Sequence, residues 1–274
     1  MLVFPNCKIN LGLNIVGKRT DGYHNLETIF YPIPYFDALE IIKAPGAGED
    51  PDFTTSGLPV SGNINSNLCI KAWQLLQQDF SNLPAIKMHL HKSIAMGAGL
   101  GGGSSDGAFT LQLVNDIFDL GISTAGLLQY ALQLGSDCPF FIINKPCFAT
   151  SRGEVLEPVN LSLKGYYLVL VNPGIHISTK EAFGKINPET GASSISDIIK
   201  QPVTTWKNRL TNDFEPGIFK LYPAINHIKE LLYNNGAIYS SMTGTGSTVF
   251  GIFEKEPEPF LFTDDKYLMK TMLL

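Results

Sequence analysis

The sequence predicts a mixed α and β chain whose pattern runs through one series of elements to about residue 160 and starts again near Leu161. Three observations carry this. Stretches alternating apolar and polar residues at strand period recur through the first half. A glycine-dense loop leads from one of them straight into residues at helical spacing. After Leu161 a continuous apolar run, Tyr166 to Val171, reads as a buried strand and opens a second series.

Taken in order, Val3 to Val16 alternates from Lys8 onward, with Ile9, Leu11, Leu13 and Ile15 on one face and Lys8, Asn10, Gly12 and Asn14 on the other. A solvated strand face normally carries longer and more mixed charges, so Lys, Asn and Gly here mark either a lining surface or an ordinary edge strand. Gly17 to Leu26 is a polar turn with an Asp21-Gly22 hairpin signal, then Tyr23 and His24. Glu27–Pro34 and Ala38–Lys43 read as strands, Ala44–Asp52 as a loose acidic loop, and Asn65–Phe80 as a helix after a polar start. Ile86–Ile94 alternates as a half-buried strand, and Ser123–Leu134 reads as a helix closed by Gly135. Asp137 sits in a Gly-Ser-Asp-Cys-Pro turn before an apolar run read as a strand; such an Asp is partly desolvated, or simply a turn or cap residue. Phe148–Ser151 and Glu154–Val159 are short strands. In the second series a helix begins at Ser178 or Thr179, Gly191–Val203 is polar and mobile, and Thr211–Glu215 and Pro223–Tyr233 are helices. Ala237–Ser241 and Thr248–Phe253 are strands joined by a Gly and hydroxyl loop that suits either a hairpin or a phosphate. Glu254 to the C-terminus carries little signal.

The loop from Ala95 to Gly107 has six glycines among the eleven residues from Gly97. Glycines let backbone N–H groups converge, and the following helix start adds unpaired donors and partial positive charge, which together suit a phosphate. Gly97, Gly99 and Gly102 formally match G-x-G-x-x-G, but no acidic residue closes a second strand about 20 residues on, as a dinucleotide site requires. No Gly-Lys-Ser or Gly-Lys-Thr ends the loop, which excludes a Walker loop.

Composition narrows the class. With 274 residues, 44% hydrophobic and 16% charged, the chain reads as soluble and globular, and a net charge of −5 gives no basic face for nucleic acid. No long apolar run and no charged, apolar start argue for a membrane span or signal peptide, so a cytoplasmic location is expected. Cys7, Cys69, Cys138 and Cys147 are scattered and read as reduced, buried residues. His89 and His91 share a strand face, but without a third ligand they read as a solvated pair.

Three stretches together resemble the GHMP kinase superfamily: Pro5-x-x-Lys8-x-Asn10-Leu11 continuing to Arg19-x-Asp21-Gly22-Tyr23-His24, then Gly99 to Asp106, then Met242-Thr243-Gly244-Thr245-Gly246. The glycine loop resembles the whole superfamily. The first stretch is narrower and is similar to the branch whose alcohol substrate carries a cytidine diphosphate group. The resemblance implies a two-domain α+β GHMP kinase fold. Residues 1–160 would form a domain like ribosomal protein S5 domain 2, residues 161–274 a ferredoxin-like domain, with the active site in the cleft between them. It implies transfer of the γ-phosphoryl of ATP to an alcohol, with Mg²⁺ held through phosphates and water and no protein ligand, and no nucleic acid, membrane or obligate protein partner. By the same resemblance Lys8 and Asp137 are the catalytic pair. Gly97, Gly99, Leu100, Gly101, Gly102, Gly103, Ser104 and Ser105 hold the phosphates, with Asn67 and Lys92 near adenine and ribose. Asn10 would meet the erythritol end of the substrate, and Tyr23, His24, Thr179 and Phe183 its cytosine. Two positions depart from the usual pattern: Ala95 stands where Pro is common and Gly107 where Ala is common. A first-turn glycine costs roughly 1 kcal/mol against alanine, so reduced rigidity rather than lost activity is expected.

Overall fold

The computed structural model describes residues 1–44, 51–60, 62–186, 194–259 and 266–274. In chain order the elements are β1 (Leu2–Val3), β2 (Asn6–Lys18), β3 (His24–Phe36), β4 (Ala38–Lys43), β5 (Asp52–Gly57), α1 (Leu68–Asp79), β6 (Ile86–Lys92), α2 (Gly102–Ile117), α3 (Thr124–Leu134) and α4 (Cys138–Ile143). There follow β7 (Cys147–Thr150), β8 (Val155–Pro158), β9 (Tyr167–Asn172), α5 (Thr179–Phe183), α6 (Ile195–Ile198), α7 (Glu215–Leu221), α8 (Pro223–Asn234), β10 (Tyr239–Met242), β11 (Val249–Phe253) and β12 (Leu268–Leu273). Backbone proximity gathers them into two compact units, each drawn from several stretches. The first holds Met1–Cys7, Tyr35–Met96 and Gly101–Lys145; the second holds Lys8–Pro34, Gly97–Leu100 and Pro146–Leu274.

In the first unit the sheet order is β1-β4-β6-β5, with only β5 and β6 parallel. Register pairs Leu39 with Leu90 and Ile41 with Met88, and all four side chains are buried. The opposite face carries the polar alternates: His89 lies between the hydroxyls of Thr54 (2.8 Å) and Ser56 (2.9 Å), and Ser56 also meets His91 (2.9 Å). The period-2 pattern of β6 therefore reports one buried and one wet face. Helix α1 starts where Asn67 accepts from the Cys69 N–H (2.9 Å), and α3 where Ser123 accepts from the Gly126 N–H (3.3 Å).

Gly107 has a packing reason. Placed in α2 against α1, a Cβ there would lie 2.9 Å from the Leu68 Cβ and 3.3 Å from a Leu134 methyl. The departure from alanine admits closer helix packing rather than loosening α2. We expect Gly107→Ala to destabilise the chain by about 1–3 kcal/mol through overpacking, despite a helix-propensity gain of about 1 kcal/mol. Denaturant unfolding measures the balance, and a stabilised variant would overturn it.

In the second unit one sheet has the order β2-β3-β7-β8 and the other is wholly antiparallel, β10-β11-β9-β12. Val169, Val171 and Val249 of the latter pack with Ile225, Ile228 and Leu232 of α8 in one buried cluster. Strand β2 is buried on both faces from Asn6 to Ile15, so Lys8, Asn10 and Asn14 line protein and not an open edge.

Several expectations are corrected. The apolar run after Asp137 is the helix α4, not a strand. Pro139 suits a first helical turn, and Cys138 to Ile142 are all buried. Thr211–Phe214 is not helical: Leu13 donates to the Thr211 carbonyl (2.8 Å) and Asp213 to the Leu13 carbonyl (2.9 Å), tying this segment alongside β2. The stretch read as polar and mobile contains α6, whose Ile195 and Ile198 are buried; the rest of that reading, at 191–193, lies outside the described residues. Most of the loop read over 44–52 lies outside them too, and its last residue, Asp52, opens β5. The C-terminal strand β12 pairs along β9.

Candidate active site

Lys8 is 3% exposed, an expensive place for an ammonium unless polar partners meet it. Its Nζ donates to Asn10 Oδ1 (2.6 Å) and to the Gly99 carbonyl (3.2 Å), and stands over the Phe30 ring at 4.9 Å. Asn10 is fixed in turn: its Nδ2 donates to Thr28 Oγ1 (3.0 Å) and its backbone N–H to Thr243 Oγ1 (3.0 Å). Thr243 Oγ1 also lies 3.0 Å from the Gly99 carbonyl and 3.2 Å from Asn10 Oδ1, to one of which its single proton goes. Asn212 Nδ2 donates to the Met242 and Gly244 carbonyls (2.8 and 2.9 Å), fixing the loop that carries Thr243. The two glycine loops are thus brought together around Lys8 and Asn10. Of these supports, Thr243 was visible in the Met-Thr-Gly-Thr-Gly stretch; nothing in the sequence marked Thr28 or Asn212.

Along the glycine loop Gly97, Gly99 and Gly101 have φ of 64°, 76° and 69°, which L side chains rarely adopt. Gly101 occupies the N-cap position of α2 with no side-chain cap, and the first intrahelical bond runs from the Ser105 N–H to the Gly101 carbonyl (2.9 Å). The N–H groups of Gly102, Gly103 and Ser104 therefore stand at an uncapped helix start, where an anion is favoured. The sequence read Ser104, Ser105 and Asp106 as cap or first-turn residues; they lie in the first turns and the cap position is Gly101. Ser104 faces Cys138, whose thiol burial pushes up to about 12, and all four cysteines are buried and outside any disulfide.

Asp137 is half-buried at the N-cap position of α4, yet its side chain makes no bond to the helix N–H groups. The carboxylate is presented by a buried apolar helix without being used to cap it.

In the first unit a cavity of about 310 Å³ is lined on its polar side by Asn67, Lys92, Gly103 and Asp106, with Val60 and Leu68 among its apolar walls. That is the lower end of the range for small-molecule sites, roughly 300–1,000 Å³. Lys92 borders it, but its ammonium is held by Asp37 and by Asp106 Oδ2 (2.7 Å). Burial alone lowers the Lys92 pKa, and the two carboxylates more than offset that, holding it above the ordinary lysine value. Asp37 also accepts from the Ser93 and Ile94 N–H groups (2.6 and 2.9 Å), anchoring the entry to the glycine loop. Asp37 and the cavity role of Asp106 were not foreseen.

In the second unit Arg19 binds Asp21 (3.0 Å), Asn25 (3.2 Å) and Ser151 (3.0 Å), and Asp21 accepts from the Tyr23 N–H (3.1 Å). That backbone bond, then Arg19 and Arg152, holds the Asp21 pKa below its usual value. The Arg152 guanidinium lies 5.0 Å over the Tyr23 ring, which is 56% exposed. His24 stacks on Phe183 with centroids 4.7 Å apart and planes at 19°, and Phe214 braces Phe183 edge-on at 5.0 Å. Thr179 opens α5, capped by Ser178, on the helix that carries Phe183. Histidine and the second aromatic, 159 positions apart in sequence, are thus one ring pair.

The chain is 52% identical over 256 residues to a 4-diphosphocytidyl-2-C-methyl-D-erythritol kinase of Bacteroides fragilis, with 93% of each chain covered. The models of the GHMP kinases N terminal domain and GHMP kinases C terminal match residues 67–145 and 194–261. The chain belongs to the GHMP kinases. A relative of the same name from Parabacteroides distasonis is 51% identical over 267 residues, covering 96% of this GHMP kinase and 97% of its own length. Among solved structures, a 4-(cytidine 5'-diphospho)-2C-methyl-D-erythritol kinase superposes with a TM-score of 0.80 at 27% identity, over 92% of this chain and 90% of that one. The mevalonate kinase of Methanococcus jannaschii superposes at 0.70 with 14% identity, over 100% and 98% of the two chains, and shares the fold. The expected two-domain α+β GHMP fold is thereby borne out. Among the described residues no helix is long and apolar enough to cross a membrane.

Proposed function

We propose that this GHMP kinase transfers the γ-phosphoryl group of ATP to the 2-hydroxyl of 4-diphosphocytidyl-2-C-methyl-D-erythritol, a step of the non-mevalonate isoprenoid pathway. The observation that carries the reading is identity of about half over nearly the whole chain with kinases of that name. The ring pair of His24 and Phe183 supports it, since a pyrimidine needs a flat apolar face with a polar edge beside it. This reading divides the chain's function near residue 160; the two family matches, at residues 67–145 and 194–261, leave room for that boundary between them. The same reading includes a cytoplasmic location, where ATP is at hand.

In this mechanism the N–H groups at the start of α2, with the loop from Gly97 to Ser105, receive the phosphates, and Asn67 and Lys92 border the nucleoside. Phosphoryl transfer asks chiefly for positioning and charge stabilisation. Asp137 takes or orients the proton of the attacking hydroxyl, while Lys8 stabilises the developing alkoxide. Asn10 accepts from the Lys8 ammonium through Oδ1 and meets the erythritol end of the substrate. Tyr23, His24, Thr179 and Phe183 receive the cytosine. Bound Mg²⁺ neutralises charge on the phosphates. In this reading the ion would be held through phosphate oxygens and water.

The test is ADP release with ATP, Mg²⁺ and this alcohol, against mevalonate, homoserine and galactose as alternative acceptors. Turnover with the cytidyl alcohol alone supports the reading; turnover with another acceptor alone rejects it. In the same assay we expect Phe183→Ala to raise KM for the cytidyl substrate about 5- to 150-fold, the equivalent of about 1–3 kcal/mol of lost stacking. KM for ATP should stay within about twofold.

A further inference from the structure

His176 is an exposed residue that the mechanism above does not use, yet it stands against the phosphate loop. A Cβ at Gly97 would lie 3.1 Å from its Nδ1 and 3.2 Å from its Cε1, so the imidazole edge is set on the bare backbone of the loop. Gly97 and His176 belong to the same compact unit, and the chain on both sides of the histidine is fixed. Ser247 donates to the Ile175 carbonyl (2.5 Å), and the Ile177 side chain is buried, its Cδ1 3.0 Å from where a Gly246 Cβ would lie. Thr248, whose hydroxyl accepts from Asn172 Nδ2 (2.9 Å), donates its N–H to the Ala98 carbonyl (3.4 Å), which draws the residue after Gly97 to the same place. Among the described residues neither ring nitrogen of His176 has a hydrogen-bond partner. A donor side chain is thus held on fixed backbone at the entry to a loop that suits anions.

The substrate read for this site needs such a group. A diphosphate joins its cytidine to its erythritol, and the residues assigned above meet only the two ends: the ring pair of His24 and Phe183 at the cytosine, Lys8 and Asn10 at the erythritol. Arg19 and Arg152, the cations beside Tyr23, are engaged by Asp21 (3.0 Å) and Glu154 (3.5 Å). From His176 the chain runs through Ser178 directly into α5, which carries Thr179 and Phe183, so the residue links the phosphate loop to the pyrimidine stack. The geometry points to His176 as a specificity residue for the cytidyl alcohol, its imidazole donating an N–H to a phosphate oxygen of the substrate's diphosphate beside Gly97. A hydrogen bond to an ionised oxygen is stronger than one between neutral groups, and an alcohol without phosphates, such as mevalonate or homoserine, cannot make it. This inference rests on the reading of the protein as a kinase of the cytidyl alcohol.

The experiment is steady-state kinetics of the full chain at saturating ATP and excess magnesium chloride, with CDP and cytidine as competitive inhibitors against the cytidyl alcohol. Cytidine keeps the base and lacks both phosphates, so it reports the ring pair without the diphosphate. His176→Ala should raise KM for the cytidyl alcohol and the inhibition constant of CDP about tenfold, the loss of one hydrogen bond to a charged group. The inhibition constant of cytidine and KM for ATP should stay within about twofold, and kcat should fall less than about threefold, the pattern of lost ground-state binding. Equal weakening of CDP and cytidine would make His176 a support of α5 alone, and a rise confined to KM for ATP would give it to the donor's phosphates. Either result overturns the inference, as does an alanine variant that matches the wild type throughout. Should that variant fail to fold, His176→Leu, which covers Gly97 without a donor, carries the same comparison. Wild-type turnover of the cytidyl alcohol leaves the kinase reading standing in all of these cases. A wild type that neither turns it over nor is inhibited by CDP takes both readings down.

Discussion

Asp137→Asn lowers kcat for ADP release by roughly 10²–10⁴-fold, the range associated with one positioned proton-transfer group, while ATP affinity changes little. The residue sits half-buried at the head of α4, whose residues Cys138 to Ile142 are buried, so the swap of an oxygen for a nitrogen leaves that support intact. Its side chain forms no cap bond to the helix, so no cap is lost. The thermal midpoint should therefore stay close to that of the wild type. Lys8→Met produces a loss of the same order for a related reason: the long apolar stem still fills its place beside Phe30, but no ammonium meets Asn10 Oδ1 or the Gly99 carbonyl. If the two act as one pair, the double variant is little worse than either single one. A kcat within threefold of wild type for Asp137→Asn removes it from the mechanism, and multiplicative losses in the double variant separate the two roles.

Gly99→Ala should damage both fold and chemistry. At φ of 76° a side chain costs roughly 1–2 kcal/mol of backbone strain. Its Cβ would also lie 2.0 Å from the Thr243 carbonyl oxygen, a backbone atom that cannot swing aside. Overpacking of that kind adds about 1–3 kcal/mol, for a total of about 2–5 kcal/mol. Relief requires the two loops to part, and the Gly99 carbonyl is the atom that receives Lys8 Nζ and stands beside the Thr243 hydroxyl. A displacement near 1 Å at a reacting group can cost about 10²-fold. We therefore expect at least a hundredfold fall in kcat together with a lowered denaturation midpoint. Wild-type stability with full activity would show that the loops have room the geometry denies.

Glycine density made the phosphate loop legible because no regular element tolerates it, and the small polar face of β2 made Lys8 and Asn10 legible because a solvated strand rarely looks that way. Both signals are local. Partners supplied from far along the chain left no such mark: Thr28 is a plain strand hydroxyl, and Asn212 lies in a stretch that resembles a helix start until β2 binds its backbone. The run from Cys138 to Ile143 was misread because six apolar residues fit a buried strand or a buried helix equally well, and periodicity cannot choose between them. Strands β5 and β12 carry mostly exposed side chains, so they offered no apolar alternation to detect. Asp106 was taken as a helix-start residue, the common use of aspartate there; only its burial beside Lys92 reveals another one.

The bond from the Asn10 N–H to Thr243 spans 233 positions. A ribosome adding about 5–20 residues per second needs roughly 12–50 s to travel that distance. During that interval the nascent chain carries β2, with Lys8 and Asn10 built to be enclosed, while the hydroxyl that fixes them has not yet been made. The lysine side chain reaches its complete setting only after β10 has emerged, so this scaffold is completed late in synthesis, and a chain interrupted before Thr243 keeps only the bonds from Thr28 and Gly99 to hold it.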